Sequence, residues 1–223
     1  MKKLLLTIAI LTFVITAKSQ STQFGVSMFY YQANYTKGTY ANGEKNQVPF
    51  VGAVYVSPGL FLEKKINKVV SARLELNIMG KSANRTGLVS TNDGTFSVNY
   101  NYKLNYIQLP VLAKIAAAKN FNLYIGPGFG YILSRKLSSS VSTVSFSGGS
   151  EARQDVSYSK EEVKKGINEF DLSGHVGLGF DIKKFEIYTA YEQSFVSSFK
   201  DPEKQFSKTP KFYTVKLGVS YRF

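Results

Sequence analysis

Residues 211–223 read KFYTVKLGVSYRF, and they alternate. Tyr213, Val215, Leu217, Val219, Tyr221 and Phe223 fall on one face of an extended chain. Thr214, Lys216, Gly218, Ser220 and Arg222 fall on the other. A period of two with one apolar face is the signature of a strand. The pattern continues upstream in FEIYTAYEQSF (185–195), where Phe185, Ile187, Thr189 and Tyr191 alternate with Glu186, Tyr188, Ala190 and Glu192. It recurs in FDLSGHVGLGFDI (170–182), where Phe170, Leu172, Val176, Leu178, Phe180 and Ile182 alternate with Asp171, Ser173, His175, Gly177, Gly179 and Asp181.

Extending this reading to the rest of the chain predicts eight strands, near 23–33, 49–62, 68–80, 100–116, 120–134, 170–182, 185–197 and 211–223. Their connections alternate in length. Tight turns fall at Lys64-Lys65-Ile66-Asn67, Ala118-Lys119 and Lys183-Lys184, whereas 34–48, 81–99, 135–169 and 198–210 are long and rich in Ser, Asn, Thr, Gly and Lys. Within the third of these, SKEEVKKGINE (159–169) reads as a helical turn or two. Short turns on one side and long loops on the other are the layout of an outer-membrane barrel. Strands of this length suit a tilted crossing, which needs about 9–11 residues. Aromatic residues gather toward strand ends (Tyr30, Tyr31, Tyr100, Tyr102, Tyr131, Phe195, Tyr213, Tyr221 and Phe223), as interfacial girdles require. The expected fold is therefore all-β: an eight-stranded antiparallel up-and-down transmembrane β-barrel with short periplasmic turns and long extracellular loops.

Composition narrows the chemistry. The 223 residues carry no Cys, one His, 15 Tyr, 17 Phe and 18 Gly. Without Cys there is no disulfide framework, thiolate metal site or nucleophilic thiol. One His leaves little for a zinc or iron site, which usually recruits several imidazoles. No metal or cofactor is expected. Lys and Arg outnumber Asp and Glu by 28 to 15, for a formal charge of +13.

Residues 1–19, MKKLLLTIAILTFVITAKS, form a basic start, an apolar stretch and a small-x-small ending at Ala17-Lys18-Ser19. This is the pattern of a secretory signal peptide, and the stretch is too short for a bilayer-spanning helix. Cleavage is expected before Gln20, leaving 20–223 as the outer-membrane barrel domain. Losing Lys2, Lys3 and Lys18 lowers the formal charge from +13 to +10.

Three phrases carry a family likeness. LNYIQLPVLAKI (104–115), with Tyr106 and Pro110, NLYIGPGFGYIL (122–133) and the terminal LGVSYRF resemble the PorT-like outer-membrane β-barrel family over essentially the whole mature chain. The resemblance implies a small barrel in a Gram-negative cell envelope. A terminal aromatic such as Phe223 resembles the signal read by the barrel-assembly machinery. The family's name comes from a member linked to secretion and gliding machinery, and membership does not imply one activity.

On the polar faces, Arg73, Glu75, Lys114, His175, Asp181, Glu186, Glu192 and Arg222 point into the lumen. An eight-stranded barrel is just wide enough for its side chains, so these groups are expected to pair and plug it. No catalytic residues are assigned. The materials for a lipid hydrolase exist, since Ser173 lies two residues from His175 on one face and Glu186 or Glu192 could lie on the next strand. A serine needs a base within hydrogen-bond reach, however, and Ser-x-His is a common spacing. Gly126, Gly128 and Gly130 share one face but lack the helix of a phosphate-binding fingerprint. With Gly177 and Gly179 they form a groove for large side chains.

The leading expectation is thus a non-enzymatic outer-membrane barrel with a closed lumen, structural, adhesive or accessory to an envelope or secretion machine. The alternatives are a lipid-modifying hydrolase built on His175 and a soluble periplasmic barrel binding an apolar ligand. Basic residues in 135–169 and 198–211 would meet the phosphates of lipopolysaccharide and outer-membrane lipids. The extracellular loops offer a surface for an envelope protein partner, and no nucleic-acid motif is present.

Overall fold

A computed structural model describes residues 22–36, 39–40, 51–91, 94–144, 153–157, 167–197, 206–208 and 211–223. Eight long strands run through them: β1 (Thr22–Tyr35), β2 (Val54–Lys65), β3 (Val70–Thr91), β4 (Gly94–Ala118), β5 (Phe121–Val144), β6 (Phe170–Ile182), β7 (Phe185–Ser194) and β8 (Phe212–Arg222). Each pairs antiparallel with its neighbours in sequence, and β1 also pairs with β8, from Gly25 opposite Arg222 to Tyr35 opposite Phe212. That last pairing closes the sheet into an eight-stranded barrel and removes both edges.

The short connections lie where the sequence places them. Asn67 Oδ1 accepts from the backbone N–H of Val69 and Val70 and so closes the β2–β3 turn. Asn120 and Lys183 take positive φ, 68° and 55°, in the two-residue turns after β4 and β6. Asn tolerates that region because its short amide can bond locally.

All four expected long loops are partly strand, and nearly all of 81–99 is. Residues 81–91 and 94–99 continue β3 and β4 as one ladder from Lys81 opposite Leu104 to Thr91 opposite Gly94. Residues 135–144 likewise continue β5, and Arg153–Ser157 adds a strand against Ser138–Ser142. Ser, Asn and Thr favour turns when alone, but a neighbour already in register supplies their backbone bonds. Two-residue strands add at Thr39–Tyr40, paired with Phe206–Lys208, and at Val51–Gly52, paired with β3. The expected signal peptide, its cleavage point before Gln20 and positions 159–166 of the expected helical turn lie outside the described residues. Its last residues are not helical, Ile167 forming a bridge.

The faces sort as the alternation requires. Phe170, Val176, Leu178, Phe180, Ile187, Val215, Leu217 and Val219 are exposed on the outer wall. Their inward neighbours Asp171, Ser173, His175, Glu186, Glu192, Thr214, Lys216 and Ser220 are buried. An apolar exterior around a charged interior is the reverse of a soluble barrel with an apolar pocket, and it matches a lipid-facing wall. Two aromatic belts bound this wall. Near the short turns, Phe24 stacks on Phe223 at 4.9 Å and Phe185 meets Tyr221 at 5.0 Å. Toward the opposite end, Tyr131 meets Phe170 at 5.2 Å and Tyr191 meets Tyr213 at 6.1 Å. Tyr30 is on the outer wall, but Tyr31 is not a girdle residue. It is buried in the lumen, where its hydroxyl donates to Gly80 O (2.9 Å) and accepts from Gly80 N (2.6 Å). Adjacent strand residues cannot share a face. The side chains of Tyr100 and Tyr102 lie outside the described set.

Candidate functional site

The lumen holds two networks of charge separated by apolar side chains. Along β3 the inward residues run Arg73, Glu75, Asn77, Met79, Lys81; along β7 they run Glu186, Tyr188, Ala190, Glu192, Ser194. The first members of each series belong to a network near the short turns and the last to a network nearer the loops. Between them, Met79, Tyr188 and Ala190 pack with Phe29, Tyr31, Ala33, Leu112 and Tyr124. Glycine makes this layer possible. A Cβ on Gly218 would drive into the ring of Phe29, which packs edge-on against Tyr188 at 5.7 Å.

Arg73 is the hub of the short-turn network. It is 0% exposed, and its guanidinium lies 4.0 Å from the centre of the Phe61 ring. Nε meets Glu75 Oε1 at 2.8 Å, Nη1 donates to Glu186 Oε2 at 2.5 Å, and Nη2 donates to Ser220 Oγ at 3.0 Å. Glu63 stands 3.8 Å away. Tyr124 donates its hydroxyl to the second oxygen of Glu186. Lys114 Nζ lies between Glu186 (3.3 Å), Glu63 (3.4 Å) and Asp181 (3.5 Å). Arg222 pairs with Asp181, which also accepts from Asn122 at 3.0 Å. Three cations thus face four carboxylates, and one planar guanidinium links β2, β3, β7 and β8.

The loop-side network is smaller. Lys81 Nζ meets Asp171 Oδ2 at 2.6 Å and Glu192 Oε1 at 3.3 Å. Lys216 Nζ meets the other oxygen of Glu192 at 2.7 Å and donates to Gln108 Oε1 at 3.1 Å. Gln108 donates to Glu192 Oε1 at 2.5 Å, and Ser194 donates to Asp171 Oδ2 at 3.0 Å. Two lysines balance two carboxylates, and the aromatic rings of Tyr106 and Phe212 flank Lys81 at 5.1 and 5.3 Å.

The eight lumen charges expected from sequence all face inward, with Asp181 and Arg222 half-buried at the short-turn mouth and the others buried. The sequence reading missed Lys81 and Glu63 as members. Lys81 falls in a segment that reads as a loop, and Glu63 at the edge of a turn. It also left Asp171 and Lys216, both on recognised polar faces, out of the charge set. Ser173 Oγ lies 3.0 Å from His175 Nε2, so the structure brings that pair together. Gly128 makes the close approach possible, since a Cβ there would collide with both groups.

A cavity of about 220 Å³ opens at the short-turn mouth, lined mainly by Glu63, Lys65, Lys68, Lys114, Asp181 and Arg222. It reaches neither Ser173 nor His175. Among the described residues no group of three or more His, Cys, Asp or Glu is arranged to hold a metal ion.

The chain is similar in fold to solved barrels of low sequence identity. The attachment invasion locus protein Ail of Yersinia pestis is 16% identical, covering 92% of this chain and 100% of that one, with a TM-score of 0.43. The Neisserial surface protein A is 14% identical over 92% and 100%, with a TM-score of 0.48. The outer membrane protease OmpT of Escherichia coli is 12% identical over 93% and 100%, with a TM-score of 0.38. No curated protein matches the chain. The family model described as outer membrane protein beta-barrel domain matches residues 20–200, and with its closed barrel and apolar outer wall this chain belongs to that family.

Proposed function

We propose that the protein is a non-enzymatic outer-membrane barrel with a closed lumen, which serves a structural or adhesive role or assists an envelope or secretion machine through its loop end. The observation that carries this reading is the filled interior. Arg73, Tyr31, Tyr124, Tyr188, Phe29, Lys81, Phe212 and Gln108 are all under 2% exposed. Eight strands enclose a space just wide enough for side chains, and these residues occupy it in three successive layers. Planar-bilayer recording from the pure protein is expected to give no stable step of general-porin size. A reproducible large step would overturn the closed-lumen reading.

The hydrolase alternative on His175 has the 3.0 Å contact in its favour and little else. Glu192, opposite His175 in register, is engaged by Lys81, Lys216 and Gln108 and is not free to orient an imidazole. Glu186 is held by Arg73 and Tyr124. Ser173 also donates to Gly128 O at 3.3 Å, and both members of the pair are buried. A satisfied lumen histidine accounts for this geometry.

The remaining proposals concern handling by the envelope. Export would use residues 1–19 with cleavage before Gln20, which N-terminal sequencing of the mature protein tests. Phe223 would serve the barrel-assembly machinery. Its exposed ring stacks on Phe24 and its N–H donates to Phe24 O at 3.1 Å, tying the terminus to the closing strand pair. The basic loops would meet lipopolysaccharide. PorT-like membership would rest on 104–115 and 122–133, which lie on adjacent strands β4 and β5, and on 217–223 at the end of β8.

A further inference from the structure

The three short turns carry a charge that the lumen networks do not use. Lys64, Lys65 and Lys68 stand at the first, Lys119 at the second, and Lys183 and Lys184 at the third. Lys64 is half-buried and the other five are exposed. Besides the chain terminus, the carboxylates of this end are committed elsewhere. Glu63 is buried against Lys114, and Asp181 is held by Arg222 and Lys114. Among the described residues, no Asp or Glu side chain lies in ion-pair range of any of the six lysines.

A second observation fixes the height of this rim. Lys184 Nζ lies 5.9 Å from the centre of the Tyr221 ring. Tyr221 is an outer-wall member of the lower aromatic belt, 5.0 Å from Phe185 and 5.3 Å from Phe223. Belt tyrosines sit at the level of lipid headgroups, and lysine stems lie along apolar surface while their ammonium groups reach for that level. Lys184 therefore stands where headgroup phosphates would be, on the lipid side of the wall. The rim it continues is basic at each of its three turns. We propose that this rim binds anionic phospholipid headgroups of the leaflet bordering the short turns, in preference to zwitterionic ones. A zwitterionic headgroup carries its own ammonium or quaternary nitrogen, which the lysines repel, whereas an anionic one presents its phosphate alone. A soluble periplasmic polyanion could also meet exposed lysines, but it would not select a lysine laid over a belt tyrosine.

This inference rests on the outer-membrane reading above, and the test separates the two. Detergent-purified full-length protein is incubated with equal amounts of phosphatidylglycerol and phosphatidylcholine, and retained lipid is counted by native mass spectrometry. Phosphatidylglycerol is expected to be retained at least about fivefold over phosphatidylcholine, the worth of one lysine beside an anionic surface. Changing the six lysines together to Gln is expected to bring that ratio to near one while heat-modifiable mobility, the mark of a folded barrel, persists. Equal retention by the unaltered protein, or a preference that survives all six changes, would overturn the inference and leave the membrane reading intact. Should the sixfold variant fail to fold, the double change Lys183→Gln, Lys184→Gln at the exposed third turn decides. A preference lowered by that change supports the rim, and an unchanged preference overturns it. Co-sedimentation with isolated cell-wall polymer without any lipid preference would assign the rim to a periplasmic polyanion and equally overturn it. Recovery of the protein as a monodisperse species without detergent would instead sink the membrane reading itself.

Discussion

The two lumen networks occupy one barrel and are built differently. Near the short turns, a single guanidinium with a fixed fork of donors reaches Glu75 on its own strand, Glu186 on β7 and Ser220 on β8, with Glu63 of β2 beside it. Toward the loops, two lysines act as point charges, each touching Glu192 and one further group. The first network hangs Glu75 on a single cation and carries an excess carboxylate. The second is balanced and redundant, because Glu192 keeps a cation if either lysine is lost. Burying charge is costly, so neither network is there for raw stability alone. What the pairing does fix is which strand stands opposite which across the barrel.

That contrast orders the expected effects. Arg73→Met should cost most, about 3–5 kcal/mol, because it leaves buried Glu75 without a cation and takes from Glu186 its 2.5 Å partner, leaving Lys114 alone close to it. Urea unfolding followed by heat-modifiable mobility measures it. Val215→Arg comes next. It puts a charge on the lipid face and should cost about 2–4 kcal/mol near the midplane, seen when the protein refolds into vesicles of controlled thickness. Lys81→Met should cost less, about 1.5–3 kcal/mol, since Asp171 loses its charged partner but keeps Ser194. Adding Asp171→Asn should recover much of that loss, whereas Glu75→Gln should recover only part of the Arg73→Met loss, because Glu186 still lacks its 2.5 Å partner. Equal costs for the two cations, or equal rescue, would break the distinction between a hub and a redundant pair. The smallest effect is expected at His175→Gln, below about 1.5 kcal/mol, because Gln fills a similar volume and can still bond Ser173. Lipid A composition in a strain carrying that change should be unaltered. An altered profile would revive the hydrolase.

The site was less legible than the wall. Lys81 escaped notice because SANRTGLVSTNDGT (82–95) has the composition of a loop, yet most of it is ladder. The turn residues there are held extended by the partner strand, which local propensity does not report. Tyr31 departs from the girdle for a related reason. A cluster of tyrosines near a strand end suggests a girdle, but parity sends Tyr30 to lipid and Tyr31 to the lumen, where a backbone partner at Gly80 satisfies its hydroxyl. Asp171 and Lys216 were visible on their strands, but nothing in the sequence marked them as ends of one network.

By itself the sequence determined the strand count, the short turns at one end and, through the period of two, which face of each strand meets lipid. These are local properties, because a strand's parity is set by its own backbone geometry and cannot shift without turning every apolar residue inward. Only the tertiary structure decided which charges meet. Arg73 reaches Glu186 across 113 positions and Lys81 reaches Asp171 across 90. Those pairings depend on how the closed barrel offsets its strands, and closure joins Gly25 to Arg222, residues from opposite ends of the chain. Cross-lumen distance is a property of the whole closed sheet, and no window of sequence contains it.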